Sequence, residues 1–327
     1  MAVRVGIIGA GYIGNVHAKI LMEDERVKIT AVNDIIGAKA EQLAGLTGGR
    51  VHPNIESMLT SGLDALYVCT PNAVHARFVI PALQAGVHVF SEKPMATSLD
   101  VARQIVTAAR AARGLYQVGH NRRFANVYKF IKSTLANGFR PVAAHVKMNR
   151  GELKNPVWTG DPRVSGGFLY ETPIHLFDMM RWLLGDVIAV QCLARKSFYN
   201  ELDSFSMLFT FADHRHCTFT TVAHTTWAFP FERIEIYSDH AQLATEEMEK
   251  VAYAPGLGQD MVSYNYTQVP FQQKWGYVEE DRLFVDSVLG GKPPAVTADD
   301  GVRAVELVEA IYRSAHMGGE RVQLPLP

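Results

Sequence analysis

The feature that most limits how this chain folds is a glycine cluster set between a strand pattern and a helix pattern. Val3–Gly9 reads as a short apolar strand, and Tyr12–Met22 reads as a helix with Ile13, Val16, Ile20 and Leu21 on one stripe. Between them Gly9-Ala10-Gly11-Tyr12-Ile13-Gly14 has the spacing G-x-G-x-x-G. With 26 glycines in 327 residues, such a match alone says little. Its setting gives it meaning, because Asp34 ends the next apolar run, Val27–Asp34, 20 residues after Gly14. Each position has a physical task. Gly9 permits a tight turn, Gly11 lets backbone amides approach a pyrophosphate, and Gly14 lets helix and strand pack closely. Tyr12 and Ile13 open the helix whose N-terminus faces the phosphate charge. Asp34 accepts hydrogen bonds from ribose hydroxyls. It is followed by Ile35-Ile36 rather than Arg or Ser, and its charge would repel a 2′-phosphate. The expected cofactor is therefore NAD in preference to NADP.

The alternation of strand and helix continues to residue 119. Ala65–Thr70, Val87–Ser91 and Leu115–Gly119 read as further strands, apolar throughout as strands covered on both faces are. Ile36–Ala44, Val74–Ala85 and Leu99–Ala112 read as the helices between them. The series predicts an α/β fold: a doubly wound parallel sheet of the Rossmann kind over residues 1–122. The pattern then changes. After helix Val127–Leu135, the runs Pro141–Met148, Ile188–Arg195, Phe205–Phe211, Arg215–Thr226 and Phe231–Tyr237 are rich in β-branched and aromatic residues. Several are joined by short polar turns. They predict a second, α+β domain over 123–327 with a large, mostly antiparallel sheet. Gly151–Gly167 reads as a long loop, and Val278–Leu289 and Ala298–His316 as closing helices. The last helix is a candidate to pack back on the first domain.

Composition excludes several functions. Lys and Arg total 32 against 33 for Asp and Glu, so no strong field would draw a nucleic acid. The apolar runs are strand-sized, far short of a membrane span. The chain enters its first strand almost at once, which leaves no room for a signal peptide. Cys69, Cys192 and Cys217 are widely spaced and lie in strand-like segments, as buried thiols of a reducing cytoplasm do. The histidines His214, His216 and His224 lack a carboxylate-rich partner motif, and no metal site is expected.

Open α/β sheets bind ligands beyond the carboxyl ends of their strands. Thr70-Pro71-Asn72 ends one strand there and is placed to meet the nicotinamide half of the cofactor. His75 lies one turn further on, where a cofactor contact and a satisfied core histidine are both open. Ser91-Glu92-Lys93-Pro94 ends the next strand.

The pieces Gly9–Gly14, TPNAVH at 70–75, EKPMA at 92–96, GGFLYETPIHLFD at 166–178 and DDGVRAVELVEAIYRSA at 299–315 fall in order along nearly the whole chain. Together they resemble the glucose–fructose oxidoreductase and inositol dehydrogenase family. The resemblance implies an NAD(P)-dependent oxidoreductase acting on a hydroxyl or keto group of a sugar, inositol or other polyol. It implies that Lys93 hydrogen-bonds the reacting hydroxyl beside the nicotinamide, that Glu92 helps hold the nicotinamide ribose, and that the Lys93–Pro94 bond is cis. It implies a dimer or tetramer, and the exposed face of the expected second-domain sheet is a natural interface.

In the second domain, Glu171-Thr172-Pro173-Ile174-His175 opens a helix, with Thr172 read as N-cap and Pro173 as the first helical residue. His175 then falls in the first turn, where the helix dipole favours a neutral ring that can act as a base. Asp178 lies three residues on and can orient that ring. By position in the family's pattern, Asp-x-Gly-x-His-x-x-Asp, His175 is the acid/base residue. Glu171 stands where Asp is usual, as the next candidate base, and Pro173 replaces a glycine, so the pocket's shape differs. Asn121 and Arg122, where the chain crosses between domains, are placed to meet substrate or nicotinamide. Arg122-Arg123 also fits an ordinary solvated pair. Asn149-Arg150, Trp158 and Trp275 are further candidates for the sugar-facing wall, beside Thr172. In this reading the substrate fills the cleft between domains, with Lys93 on one side and His175 on the other. Redox-assisted glycoside cleavage, reduction of another carbonyl, and a non-catalytic cofactor-binding regulator are the rival readings.

Overall fold

A computed structural model describes residues 2–327. They divide into two compact units, one of residues 2–120 with 277–305 and one of residues 121–276 with 306–327. The expected split after residue 122 thus falls two residues late. A return was expected from the last helix alone; the helix that begins at Tyr277 and the start of the last helix both count with the first unit.

The first unit runs β1 (Val3–Ile8), α1 (Tyr12–Met22), β2 (Val27–Asn33), α2 (Gly37–Thr47), β3 (Arg50–Val51), α3 (Ile55–Leu59), β4 (Ala65–Val68), α4 (His75–Gln84), β5 (His88–Glu92), α5 (Leu99–Ala111) and β6 (Tyr116–Gly119). The six strands are parallel in the order β3-β2-β1-β4-β5-β6. This is the doubly wound order, whose direction reverses between β1 and β4. Val5, Ile7, Leu66, Tyr67, Val68, Val89 and Phe90 are fully buried, because a sheet with helices on both faces leaves no polar side. Short β3 and α3 carry too few apolar residues to show a period in the sequence.

The second unit begins with α6 (Asn126–Ala136) and β7 (Ala143–Met148). The segment expected as a loop holds a turn of 3-10 helix at Val157–Gly160 and α7 (Pro162–Ser165). Then come α8 (Phe168–Glu171), α9 (Ile174–Leu184), β8 (Val187–Arg195), β9 (Ser204–Phe211), β10 (His216–Val222), β11 (Glu232–Tyr237), β12 (Gln242–Glu246), β13 (Lys250–Ala254), β14 (Val262–Asn265) and α10 (Phe271–Lys274). After α11 (Tyr277–Gly290), α12 (Ala298–His316) and β15 (Val322–Gln323) close the chain, and the division between units passes within α12.

Nine strands form one sheet in the order β14-β13-β12-β11-β7-β10-β9-β8-β15. Only β7 and β10 run parallel; the other neighbours are antiparallel. Strand alternation gives the sheet two unlike faces. Phe205, Met207, Phe209, Phe211, Cys217, Phe219, Ile234 and Ile236 point inward, and Phe177 of α9 meets Phe209 and Phe219 at ring distances of 6.1 and 5.0 Å. Ser206, Leu208, Thr218 and Thr220 point outward and are exposed in the single chain. Strands β12 to β14 escape the sequence reading because β12 and β13 are short, with charged ends, and Glu247 turns between them with φ of 51°.

Candidate functional site

In the first unit the candidate residues gather along one sheet edge, since parallel strands deliver all their carboxyl ends to the same side. The glycine turn is tightly packed on one flank and open on the other. Gly9 has φ of +97°, and a Cβ there would lie 2.5 Å from the Cys69 carbonyl carbon. A Cβ on Gly14 would lie 2.1 Å from the Gly9 oxygen, so any side chain would push α1 off β1. At Gly11 a Cβ would meet nothing within 4 Å. Asn15 braces the turn, donating to the Ala10 and Gly11 carbonyls at 3.0 and 2.8 Å. No side chain caps Gly11 and no acidic residue lies in the first turn, so the amides of Tyr12 and Ile13 face outward with the positive end of α1. Asp34 accepts from Ala10 N at 2.7 Å and Ile36 N at 2.8 Å, which aims its carboxylate across the turn. Each of its oxygens keeps a second acceptor position for a ribose hydroxyl. Ile35 is 99% exposed.

Thr70 follows β4, and its Oγ1 is buried without a hydrogen-bond partner among the described residues. A buried hydroxyl beside an open glycine turn suits a polar ligand. These features fit a dinucleotide. Pro71 is exposed and Asn72 is buried in the turn that follows. The His75 ring lies between two carbonyls, Nδ1 2.7 Å from Pro94 O and Nε2 2.8 Å from Thr70 O. Burial pushes its pKa down, against these two hydrogen bonds. His75 therefore laces the loops after β4 and β5 together, and the core reading of this residue describes its surroundings.

At the end of β5 the Lys93–Pro94 bond is cis and Lys93 is half-buried. Glu92 was expected toward the nicotinamide ribose. Its carboxylate instead faces inward, Oε1 3.1 Å from His17 Nε2 and Oε2 accepting from Lys93 N at 3.0 Å. Sequence reasoning passed over His17 and its other partner Asp281, although both carried a signal. His17 interrupts the apolar stripe of α1, and Glu280-Asp281 interrupt that of α11 between Tyr277 and Phe284-Val285.

In the second unit the candidates form three ion-paired groups. Arg122 donates to Glu232 Oε2 at 3.1 Å and lies over the Trp275 ring, 4.6 Å from its centroid. Tyr128 donates to the other Glu232 oxygen at 2.7 Å. Asn121 donates to Trp275 O at 2.9 Å. Arg123 donates to both Asp178 oxygens, at 2.7 and 2.5 Å. The two arginines are 3% and 6% exposed, so they are not a solvated pair. Asp178, expected to orient His175, is instead held in a bidentate pair by Arg123. Glu232 was missed, yet it is a charge at an inward position of the β11 alternation, in step with Ile234 and Ile236.

Arg150 joins the third group. It donates to Glu171, to Thr172 Oγ1 at 3.0 Å and to Asn155 O at 2.9 Å, and the Thr172 hydroxyl also bonds Glu171. Thr172 is therefore not the cap of α9. The helix starts at Ile174 after Pro173, which has no side-chain cap, because the Thr172 hydroxyl is engaged by Arg150 and Glu171. His175 is 8% exposed in that first turn, its N donating to Thr172 O at 3.3 Å. Trp158 is half-buried in the 3-10 turn, and Asn149 Oδ1 accepts from Val222 N at 3.2 Å. Glu171, Thr172 and His175 thus share one stretch with Arg150 beside it, and Asn121, Arg122 and Trp275 share another.

Known proteins match along the same line. A family model described as "Oxidoreductase family, NAD-binding Rossmann fold" matches residues 3–120, and its companion, "Oxidoreductase family, C-terminal alpha/beta domain", matches residues 132–324. The chain is similar to inositol 2-dehydrogenase 3 of Saccharopolyspora erythraea, 30% identical over 331 residues covering 97% of this chain and 94% of that one. It is 27% identical to the inositol 2-dehydrogenase of Rhizobium meliloti over 327 residues, 96% and 97% of the two chains. Among solved structures it is similar to GenD2 from gentamicin A biosynthesis in complex with NAD, with a TM-score of 0.85 and 26% identity over 99% of this chain and 97% of that one. With both halves matched in order, and with the glycine turn, Lys93 and the His175 helix in place, the chain belongs to the glucose–fructose oxidoreductase and inositol dehydrogenase (Gfo/Idh/MocA) family of NAD-binding oxidoreductases.

Proposed function

We propose that this protein oxidises a secondary alcohol of a sugar, inositol or related polyol with NAD, or reduces the corresponding ketone with NADH. The observation that carries the reading is Lys93, placed at the end of β5 on the sheet edge that also holds the open glycine turn. The residue we assign as its acid/base counterpart is His175, in the first turn of α9. When bound, NAD would supply the hydride acceptor for the carbinol carbon. His175 takes the hydroxyl proton, and the Lys93 ammonium donates a hydrogen bond to the oxygen as it becomes an alkoxide. Gly9, Gly11, Gly14, Tyr12 and Ile13 hold the pyrophosphate, Asp34 the adenosine ribose, and Thr70, Pro71 and Asn72 the nicotinamide half. Asp34 and the exposed Ile35 favour NAD over NADP.

Asn121, Arg122, Arg150, Trp158, Glu171 and Thr172 recognise the substrate. Arg122, Arg123 and Arg150 each have a carboxylate partner, which favours an uncharged polyol over a sugar acid. Relatives named inositol 2-dehydrogenase support the same class. The three cysteines are free and buried, as suits a reducing cytoplasm. No helix among the described residues is long and apolar enough to cross a membrane. The outward face of the nine-stranded sheet exposes Leu193 and Leu208, and supports a homodimer or homotetramer formed there. The test is NADH formation by the purified chain over a panel of inositols, neutral sugars, sugar acids and glycosides. NADH from a neutral polyol supports the proposal. Turnover of sugar acids alone, or alcohol released from a glycoside with no net NADH, contradicts it.

A further inference from the structure

The side chains behind Lys93 make a buried ionic chain that the reaction just described does not use. His17 of α1 is fully buried, packed among the rings of Tyr67, Phe90 and Tyr277 at centroid distances of 5.5, 5.0 and 5.8 Å. Its Nδ1 lies 2.8 and 2.9 Å from the two oxygens of Asp281 on α11, and its Nε2 lies 3.1 Å from Glu92 Oε1. Asp281 and Glu92 are 1% and 6% exposed. A neutral imidazole has one N–H and can donate to only one carboxylate; facing two, it is held as imidazolium. Burial opposes the charge on both partners and raises Asp281 above the usual carboxylate range, but the two carboxyl groups together still hold His17 well above the usual histidine range. Burial likewise opposes the Glu92 charge, and His17 outweighs it, keeping Glu92 below the usual carboxylate range. The other groups facing this cluster are Tyr67 in β4, Cys69 just after it, His75 on α4, Glu280 on α11 and Lys93 itself.

We propose that His17 is a positioning residue for Lys93, acting through Glu92. One Glu92 oxygen is pinned by His17 and the other receives the Lys93 backbone N–H, so the helix that opens the glycine turn and the residue that ends β5 share one anchor. Asp281 fixes the far side of the ring, so a segment distant along the chain orients the lysine. The Glu92 carboxylate next to Lys93 also favours the ammonium form, the form able to donate to an alkoxide. This inference rests on the assignment of Lys93 made above.

The experiment measures kcat, KM and NADH affinity for His17→Gln, Glu92→Gln and the double variant His17→Gln/Asp281→Asn, with Lys93→Met as reference. His17→Gln should lower kcat about 10–100-fold while NADH affinity changes by less than about threefold, the signature of a displaced catalytic group. In the double variant the new amide faces no unpaired Asp281 and can donate to Glu92, so most of the loss should return. Glu92→Gln, close to isosteric, removes the negative charge beside Lys93. Its alkaline limb of kcat should therefore move down by about one pH unit. Wild-type kcat in His17→Gln, an unmoved limb in Glu92→Gln, or a kcat loss that only tracks the folded fraction would each overturn the proposal. Full activity in Lys93→Met would instead overturn the assignment of Lys93.

Discussion

The two units build their candidate residues from different materials. In the first, the ligand-facing edge is largely backbone: a glycine turn, the first amides of α1, and loops leaving three neighbouring parallel strands. In the second, the polar groups are side chains, and each arginine is matched to a carboxylate under cover: Arg122 with Glu232, Arg123 with Asp178, Arg150 with Glu171. A backbone-built edge depends on a few glycines and tolerates side-chain change around them. An ion-paired interior does not, because deleting one partner leaves the other charge buried.

The largest effect separates chemistry from binding. His175→Ala should lower alcohol oxidation by roughly 10²–10⁴-fold, the range for a positioned acid/base group. Only a neutral imidazole accepts a proton, so the wild-type rate should rise with pH to a plateau that ends in the alkaline fall set by Lys93, and the variant should lose the rising limb. An unchanged rate and limb would move the base elsewhere, first to Glu171. Next comes stability. Asp178→Ala removes the carboxylate that grips buried Arg123 and should cost about 3–5 kcal/mol in denaturant unfolding. A loss below about 1 kcal/mol, the range of exposed pairs, would erase the contrast between the units.

Smaller still is cofactor choice. NADH should bind at least about tenfold tighter than NADPH, about 1.4 kcal/mol, and Asp34→Ser with Ile35→Arg should shift the preference toward NADPH. Equal affinities in the wild type would remove Asp34 from the account. The smallest effect concerns Glu201, half-buried before β9 and accepting from Phe168 N at 3.4 Å. Burial raises its pKa to about 6. A carboxyl raised on folding contributes stability at low pH that is lost as pH rises through the folded value. Glu201→Gln should therefore stabilise the protein by under about 1 kcal/mol above pH 7 and leave it unchanged near pH 4. Equal effects at both values would contradict that assignment.

The contrast between the units also explains what could be read from the sequence. Gly9–Gly14 with Asp34, Thr70–His75 and Glu92–Pro94 are local patterns whose spacing carries their geometry, and strand alternation marks the antiparallel sheet. The ion pairs are not local. Arg122 and Glu232 lie 110 residues apart, Arg123 and Asp178 55, and His17 and Asp281 264. Nothing in a spacing rule joins them, so Asp178 was matched to its near neighbour His175 rather than to Arg123. What the sequence did hold was each charge sitting at an inward position: His17 on α1, Asp281 on α11, Glu232 on β11. An ionisable residue in step with an apolar face calls for a partner, and only the fold says which.

The central claim is that hydride leaves a polyol carbinol with Lys93 and His175 at that carbon. It is tested most directly by following label from a substrate deuterated at the carbon oxidised. With the best neutral polyol, the NADH formed should carry one deuterium per turnover, and Lys93→Met and His175→Ala should each suppress its formation while still binding NADH. NADH without deuterium, or labelled NADH formed at the wild-type rate by both variants, would contradict the account.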